Sequence, residues 1–172
     1  MATMDVSMKE TQRLELNPPS FYNEMCEIQP PQEYKHLYYK AAHRYRALSD
    51  CELVRQGWQE SRFNPNAKSP KGAEGIAQIV PATAKEHHVD PLNPEEAILF
   101  QAKYDLWCKD GWDHDLGGRT DLDLKALALA CYNYGRGATY GNQRDYGWTL
   151  YIDAKPHLPA ETRQYIEIIL GV

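Results

Sequence analysis

The chain has no run approaching the ~18 consecutive apolar residues of a membrane-spanning helix. Its first residues, MATMDVSMKETQRLELNPPS, lack a basic segment followed by an apolar one, so no Sec-type signal peptide is expected. The expectation is a protein made in a cytoplasm that stays there unless something carries it out. Positive charge is scarce, with 19 Lys and Arg against 24 Asp and Glu and a formal charge of -5. That removes the basic face nucleic acid requires and any pull toward anionic membranes. None of Cys26, Cys51, Cys108 and Cys131 falls in a C-x-x-C pair. An even count permits disulfides, yet scattered thiols in a reducing compartment are the expected reading.

Metal and nucleophile motifs are missing too. His87 and His88 are adjacent rather than four apart, so there is no H-E-x-x-H zinc helix. The loop Asp113-His114-Asp115-Leu116-Gly117-Gly118 opens like a calcium loop, but its twelfth position is Leu124 where the site needs Glu. Neither Cys51 nor Cys131 has an activating His implied by spacing. No cofactor and no metal are expected.

What is present suits one domain with a core, since 172 residues at 42% apolar bury roughly 70% of the unfolded surface. Residues 1–33 are polar and non-periodic, with Pro19, Pro30 and Pro31 and a Phe21-Tyr22 pair. They read as an extended arm, either a disordered terminus or a docking segment with a few apolar anchors. Residues 34–172 form the domain proper. From Glu33 to Leu48, Leu37, Ala41 and Tyr45 are spaced by four, which predicts a helix. Ser49 and Glu52 have capping-box spacing and start a second helix at Asp50, with Leu53, Gly57 and Glu60 along one face. Pro81 opens a short helix, and Asn93-Pro94-Glu95-Glu96 opens another that ends near Gly111. Its inward face is Ala97, Gln101, Tyr104 and Trp107 or Cys108. Thr120 and Asp123 cap the most apolar helix, with Leu124, Leu127, Ala128 and Cys131 on a shared face. A Gly- and Tyr-rich loop carrying Trp148 and Tyr151 follows, and the segment from Leu158 leads into a last helix, RQYIEIIL. Strand alternation is absent apart from a short hairpin near residues 75–79. The fold class is all-α or nearly so.

The chain is organised around WQESRFNPNAKSPKGAEGIAQ, Trp58 to Gln78. Glu60 stands near the end of a helix on its buried stripe, where the negative helix terminus and apolar neighbours both disfavour the ionised carboxylate. Gly72 and Gly75 then let the returning backbone come close.

Three blocks together resemble the lytic transglycosylases, lysozyme-like enzymes related to goose-type lysozyme that cut the glycan strands of bacterial peptidoglycan. The first is Glu60-Ser61 with Ser69, Gly72 and Gly75-Ile76-Ala77-Gln78. The second is Cys131-Tyr132-Asn133-Tyr134-Gly135 with Gly137. The third is Leu158-Pro159-x-Glu161-Thr162, ending in Tyr165. Their order and approximate spacing match over roughly residues 48–170. The resemblance implies a lysozyme-like fold and no cofactor, with Glu60 as sole catalytic acid and base. Ser61 and Gln78 would contact sugar, Tyr132 and Asn133 would line the cleft, and Tyr165 would orient the acid or the intermediate. Ala77 departs from the family's usual Met and Cys131 from its frequent Ala.

The same resemblance explains how one carboxylate suffices where most glycosidases use two. The substrate's N-acetyl group stabilises the oxocarbenium-like centre and its C6 hydroxyl attacks, leaving a 1,6-anhydro sugar. Glu60 would be protonated first and basic afterwards, its pKa raised by burial against Trp58, Ile79 and Tyr132. Plainer readings stand beside these. Glu60 can be an ordinary helix-end acid, Asn133 a left-handed helix cap before Gly135, and Tyr165 a core residue. Trp112, Tyr140, Trp148 and Tyr151 suit either sugar platforms or packing. The expected partner is peptidoglycan. Because that substrate lies outside the cytoplasm, a bacteriophage particle holding residues 1–33, or release as an endolysin, would bring enzyme and wall together. A hydrolytic muramidase and a structural virion or tail component that keeps the fold remain the alternatives.

Overall fold

A computed structural model describes residues 26–113 and 119–172, without the side chain of Asp113. The expected arm up to Met25, and the calcium-like loop from His114 to Gly118, lie outside the described residues. Eight α-helices and one 3-10 turn make up the described chain: α1 Gln32–Tyr45, α2 Asp50–Ser61, α3 Pro81–His87, α4 Pro94–Asp113, α5 Asp121–Tyr134, α6 Arg136–Tyr146, α7 Tyr151–Ala154, the turn Lys155–His157, and α8 Ala160–Leu170. The expected hairpin is reduced to isolated bridges, Lys68 with Glu74 and Glu74 with Ile79. None of the described helices is long and apolar enough to cross a membrane.

Local chemistry starts these helices where the sequence says. Ser49 caps α2 and Thr120 caps α5, each in a complete capping box that satisfies otherwise orphaned amides at both ends of the motif. The Asn93 side chain accepts from the amides of Glu95 and Glu96 at the start of α4, and Pro81 opens α3.

The chain divides into two compact units. One takes the described residues up to Arg44 and then Ser49–Phe100; the other takes Tyr45–Leu48 and Gln101–Val172. In the second unit α5 is the central element, packing against α6, α7 and α8. Its residues from Ala126 to Cys131 are all buried, so the helix is apolar all round rather than on the single face that Leu124, Leu127, Ala128 and Cys131 suggest.

Three expectations are corrected and one open alternative is resolved. The cysteines are paired, Cys26 with Cys51 in the first unit and Cys108 with Cys131 in the second, and no described cysteine is free. The partners are 25 and 23 residues apart, a proximity that only folding creates. Of the two alternatives left open on α4, Cys108 is the inward one and Trp107 is exposed. Residues 136–146, read as loop, form helix α6. Its two internal glycines lower intrinsic propensity, and packing supplies what propensity lacks, with Thr139 buried and the Tyr140 ring stacked on Trp112 at 4.3 Å. Asn133 is a helical residue rather than a left-handed cap. The positive φ of 94° that ends α5 falls on Gly135, whose N–H donates to the Cys131 carbonyl.

Candidate active site

In the first unit Glu60 is the penultimate residue of α2 and is half-buried. The helix ends one step later because Arg62 and Phe63 both take positive φ, which turns the chain sharply away from the helix axis. The loop that follows is held by hydrogen bonds from the residues assigned to sugar. Ser61 Oγ donates to the Ile76 carbonyl at 2.7 Å and accepts from the Asn64 amide at 3.1 Å. Gln78 Nε2 donates to the Gly75 and Ala67 carbonyls at 2.9 and 3.3 Å, leaving its carbonyl oxygen as the group still open to a ligand. The two side chains thus brace one loop from opposite ends, and Ser61 has a structural task before any substrate arrives.

Gly75 sits where that loop meets the segment before α4. A Cβ there would lie 1.7 Å from the Pro91 carbonyl oxygen, and φ is +76°, so no other residue fits. Behind the loop Ile76, Ala77 and Ile79 are buried, which makes the Ala77 departure a packing change. Trp58 is half-buried, its ring 5.6 Å from that of Phe63 with the Arg62 guanidinium 4.7 Å above it. Tyr38 of α1 is fully buried and packs edge-on against Phe63. Burial pushes its hydroxyl pKa far up, and the charges of Glu60 and Tyr34 add to the shift.

In the second unit Tyr132 and Asn133 occupy the last turn of α5. Asn133 Oδ1 accepts a 2.8 Å hydrogen bond from Thr162 Oγ1 at the start of α8, and Thr162 is only 2% exposed. The amide oxygen is therefore anchored against the buried Thr162. Tyr132 meets the Tyr104 ring edge-on at 5.6 Å, Tyr104 meets Trp107 at 5.1 Å, and the Arg136 guanidinium lies 3.7 Å over Trp107. Tyr165 is buried on α8. Of the aromatics offered as sugar platforms, Trp112, Trp148 and Tyr151 are core, and Tyr140 stacks on Trp112. Sequence reasoning assigned no site role to Tyr38 or Arg136, offered Trp107 only as a packing residue, and met Thr162 only as a member of the third motif block. The available signals were the helical spacing that sets Tyr34 and Tyr38 on the same side of α1 as Leu37 and Ala41, and the motif block that holds Thr162. Among the described residues, no group of three or more His, Cys, Asp or Glu is placed to hold a metal ion.

An all-helical fold with this arrangement is the lysozyme-like fold of the soluble lytic transglycosylases. The 70 kDa soluble lytic transglycosylase from Escherichia coli superposes with a TM-score of 0.63 at 23% identity, over 82% of this chain and 23% of that one. An inactive glutamate-to-glutamine mutant of the lytic transglycosylase Slt from Pseudomonas aeruginosa gives 0.65 at 24% identity, over 84% and 24% of the two chains. The family described as "Transglycosylase SLT domain" matches residues 38–153, and the chain belongs to it. Among relatives, the membrane-bound lytic murein transglycosylase F of Pasteurella multocida is 30% identical over 136 residues, 72% of this chain and 26% of that protein. The peptidoglycan transglycosylase gp16 of Escherichia phage T7 is 39% identical over 115 residues, 62% of this chain and 8% of that protein. The chain thus spans about a quarter or less of the length of these relatives.

Proposed function

We propose that this chain is a peptidoglycan lytic transglycosylase that cleaves the MurNAc–GlcNAc bond and leaves a 1,6-anhydro product. The observation that carries the reading is the family match itself, which spans the segment holding Glu60, Ser61, Gln78, Tyr132 and Asn133. The relatives from Pasteurella multocida and phage T7 are named a lytic murein transglycosylase and a peptidoglycan transglycosylase. A complex of the 70 kDa enzyme with bulgecin A, at 23% identity and a TM-score of 0.63, shares the fold.

In this reading Glu60 begins protonated and gives its proton to the glycosidic oxygen as the bond to C1 breaks. The substrate's N-acetyl group stabilises the cationic centre. The Glu60 carboxylate then takes the proton of the C6 hydroxyl as that oxygen bonds to C1, which regenerates the acid. Glu60 is half-buried near the end of α2, and in this reading that partial removal from water serves the protonated starting state. Gln78 offers an acceptor oxygen, Asn133 an oriented donor and Tyr132 a ring to the glycan, and Tyr165 keeps the orienting role implied by the family pattern.

The likeness to the phage protein is what speaks for a phage origin; carriage to the wall by a virion that holds residues 1–33 is our further proposal. The deciding experiment is digestion of purified peptidoglycan by wild type and Glu60→Gln, with products read by mass. Anhydro-muropeptides from the wild type and none from the variant are expected. Reducing-end products would move the chain to the hydrolytic muramidases, and cleavage by the variant would remove Glu60 from the chemistry.

A further inference from the structure

Glycine at position 57 is unusual in the middle of a buried helix face, because it weakens the helix and leaves a gap between turns. The gap is filled from α1. A Cβ at position 57 would lie 2.0 Å from the Tyr38 hydroxyl oxygen and 2.7 Å from Cζ of its ring, so the hydroxyl occupies the volume a side chain would take. Tyr38 is 0% exposed, and its hydroxyl has no hydrogen-bond partner among the described residues. Burying a hydroxyl without a partner costs stability, and phenylalanine would fill the same ring volume without that cost.

Position 57 is also the turn over which Glu60 leans. Glu60 is three residues further along the same face, and helical side chains point back toward the N-terminus, over the preceding turn. The charge of Glu60 acts on the Tyr38 hydroxyl, although no hydrogen bond joins the two. A donor with no acceptor among the described residues therefore stands near a carboxyl group whose charge, in the proposed reaction, changes.

We propose that Tyr38 is a positioning residue whose hydroxyl, seated in the notch of Gly57, receives the Glu60 carboxylate once cleavage has ionised it. This rests on the reading of Glu60 as acid and base. While Glu60 is protonated the hydroxyl waits. When the Glu60 proton has passed to the leaving glycosidic oxygen, the Tyr38 O–H donates a hydrogen bond to the new carboxylate without giving up its own proton. The carboxylate is thereby held in one orientation to take the C6 hydroxyl proton, after which Glu60 is again a neutral acid and the bond is released. Tyr38 stays protonated throughout, in keeping with a hydroxyl whose burial disfavours phenolate.

The test is Tyr38→Phe in the full chain, assayed on purified peptidoglycan and melted in parallel. The expected result is kcat lowered roughly tenfold to a hundredfold, as for loss of a hydrogen bond to a charged group. KM should be unchanged and Tm equal to wild type or higher. A Tyr38→Phe enzyme with wild-type kcat overturns the inference, as does a fall in kcat matched by a comparable rise in KM. Gly57→Ala supplies a second arm. It displaces the hydroxyl by sterics and should lose kcat with a lowered Tm, whereas full kcat in that variant also overturns the inference. Glu60→Gln, run alongside, separates the two readings. Cleavage by Glu60→Gln sinks the acid assignment, while an inactive Glu60→Gln beside a fully active Tyr38→Phe sinks only the role of Tyr38.

Discussion

Replacing Thr162 with Val removes one hydroxyl and keeps the shape of a side chain that is 2% exposed. The lost bond is the 2.8 Å contact from Thr162 Oγ1 to Asn133 Oδ1. Its first consequence is on stability. A single neutral hydrogen bond contributes about 1 kcal/mol, and Asn133 is half-buried, so water satisfies part of what is lost. A decrease of about 1 kcal/mol lowers Tm by roughly 2–4 °C in a domain of this size. The second consequence is on polarity. With Oδ1 no longer anchored, the Asn133 amide is free to rotate about χ2; if Asn133 lines the cleft as proposed, it would then present oxygen to the glycan for part of the time in place of NH2. Each molecule in the wrong orientation sets a carbonyl against a sugar acceptor, so kcat/KM should fall about fivefold to tenfold, on the order of 1 kcal/mol of binding. Most of the change should appear in KM. Thr162→Ser restores the donor and should recover both values. The assay is initial-rate muropeptide release over a range of peptidoglycan concentrations, with thermal unfolding on the same samples. A Thr162→Val enzyme that is less stable but kinetically wild type would refute the orienting argument and leave the contact as packing alone.

The Cys108–Cys131 bond closes a loop of 23-residue separation, for which the chain-entropy account gives about 3 kcal/mol; Cys108→Ala with Cys131→Ala should lower the unfolding free energy by that order, and equal denaturant midpoints would contradict it. Asp121 is held below its ordinary 3.8 first by the Lys109 hydrogen bond, against the opposing pull of burial, and then by Lys125. A depressed carboxylate stabilises the fold above its unfolded pKa and loses that contribution as pH falls through the folded one. Asp121→Asn should therefore lower Tm at pH 7 and leave Tm unchanged at pH 2, with a small effect because the carboxylate is largely exposed; an equal loss at both pH values would show that charge is not the cause.

Much of this protein is legible without coordinates, and for a common reason. The starts of α2, α4 and α5 are set by side chains that hydrogen-bond to amides two or three residues away, so Ser49, Asn93 and Thr120 reveal them directly. The burial of α5 follows from its composition, and the three motif blocks are contiguous runs of residues. The position of Glu60 at the end of a helix, with a glycine-bearing return after it, follows from the same local chemistry.

Tertiary structure decided what depends on residues far apart in the chain. Pairing of Cys26 with Cys51 and of Cys108 with Cys131 needs helices brought side by side, which no spacing rule encodes. Helix α6 forms against its own propensity because Thr139 and Tyr140 find partners on neighbouring elements. Whether Trp107 or Cys108 faces inward turns on one residue step, about 100° around the helix, finer than a periodicity can resolve. The same holds at the candidate site. Residue identity supplied a serine, an amide and a tyrosine, whereas the fold decided that Ser61 is bonded to Ile76, that Asn133 turns its oxygen to Thr162, and that the Tyr38 hydroxyl lies in the notch of Gly57. Side-chain hydrogen bonds are short-ranged and directional, so their partners are known only once the backbone has placed them.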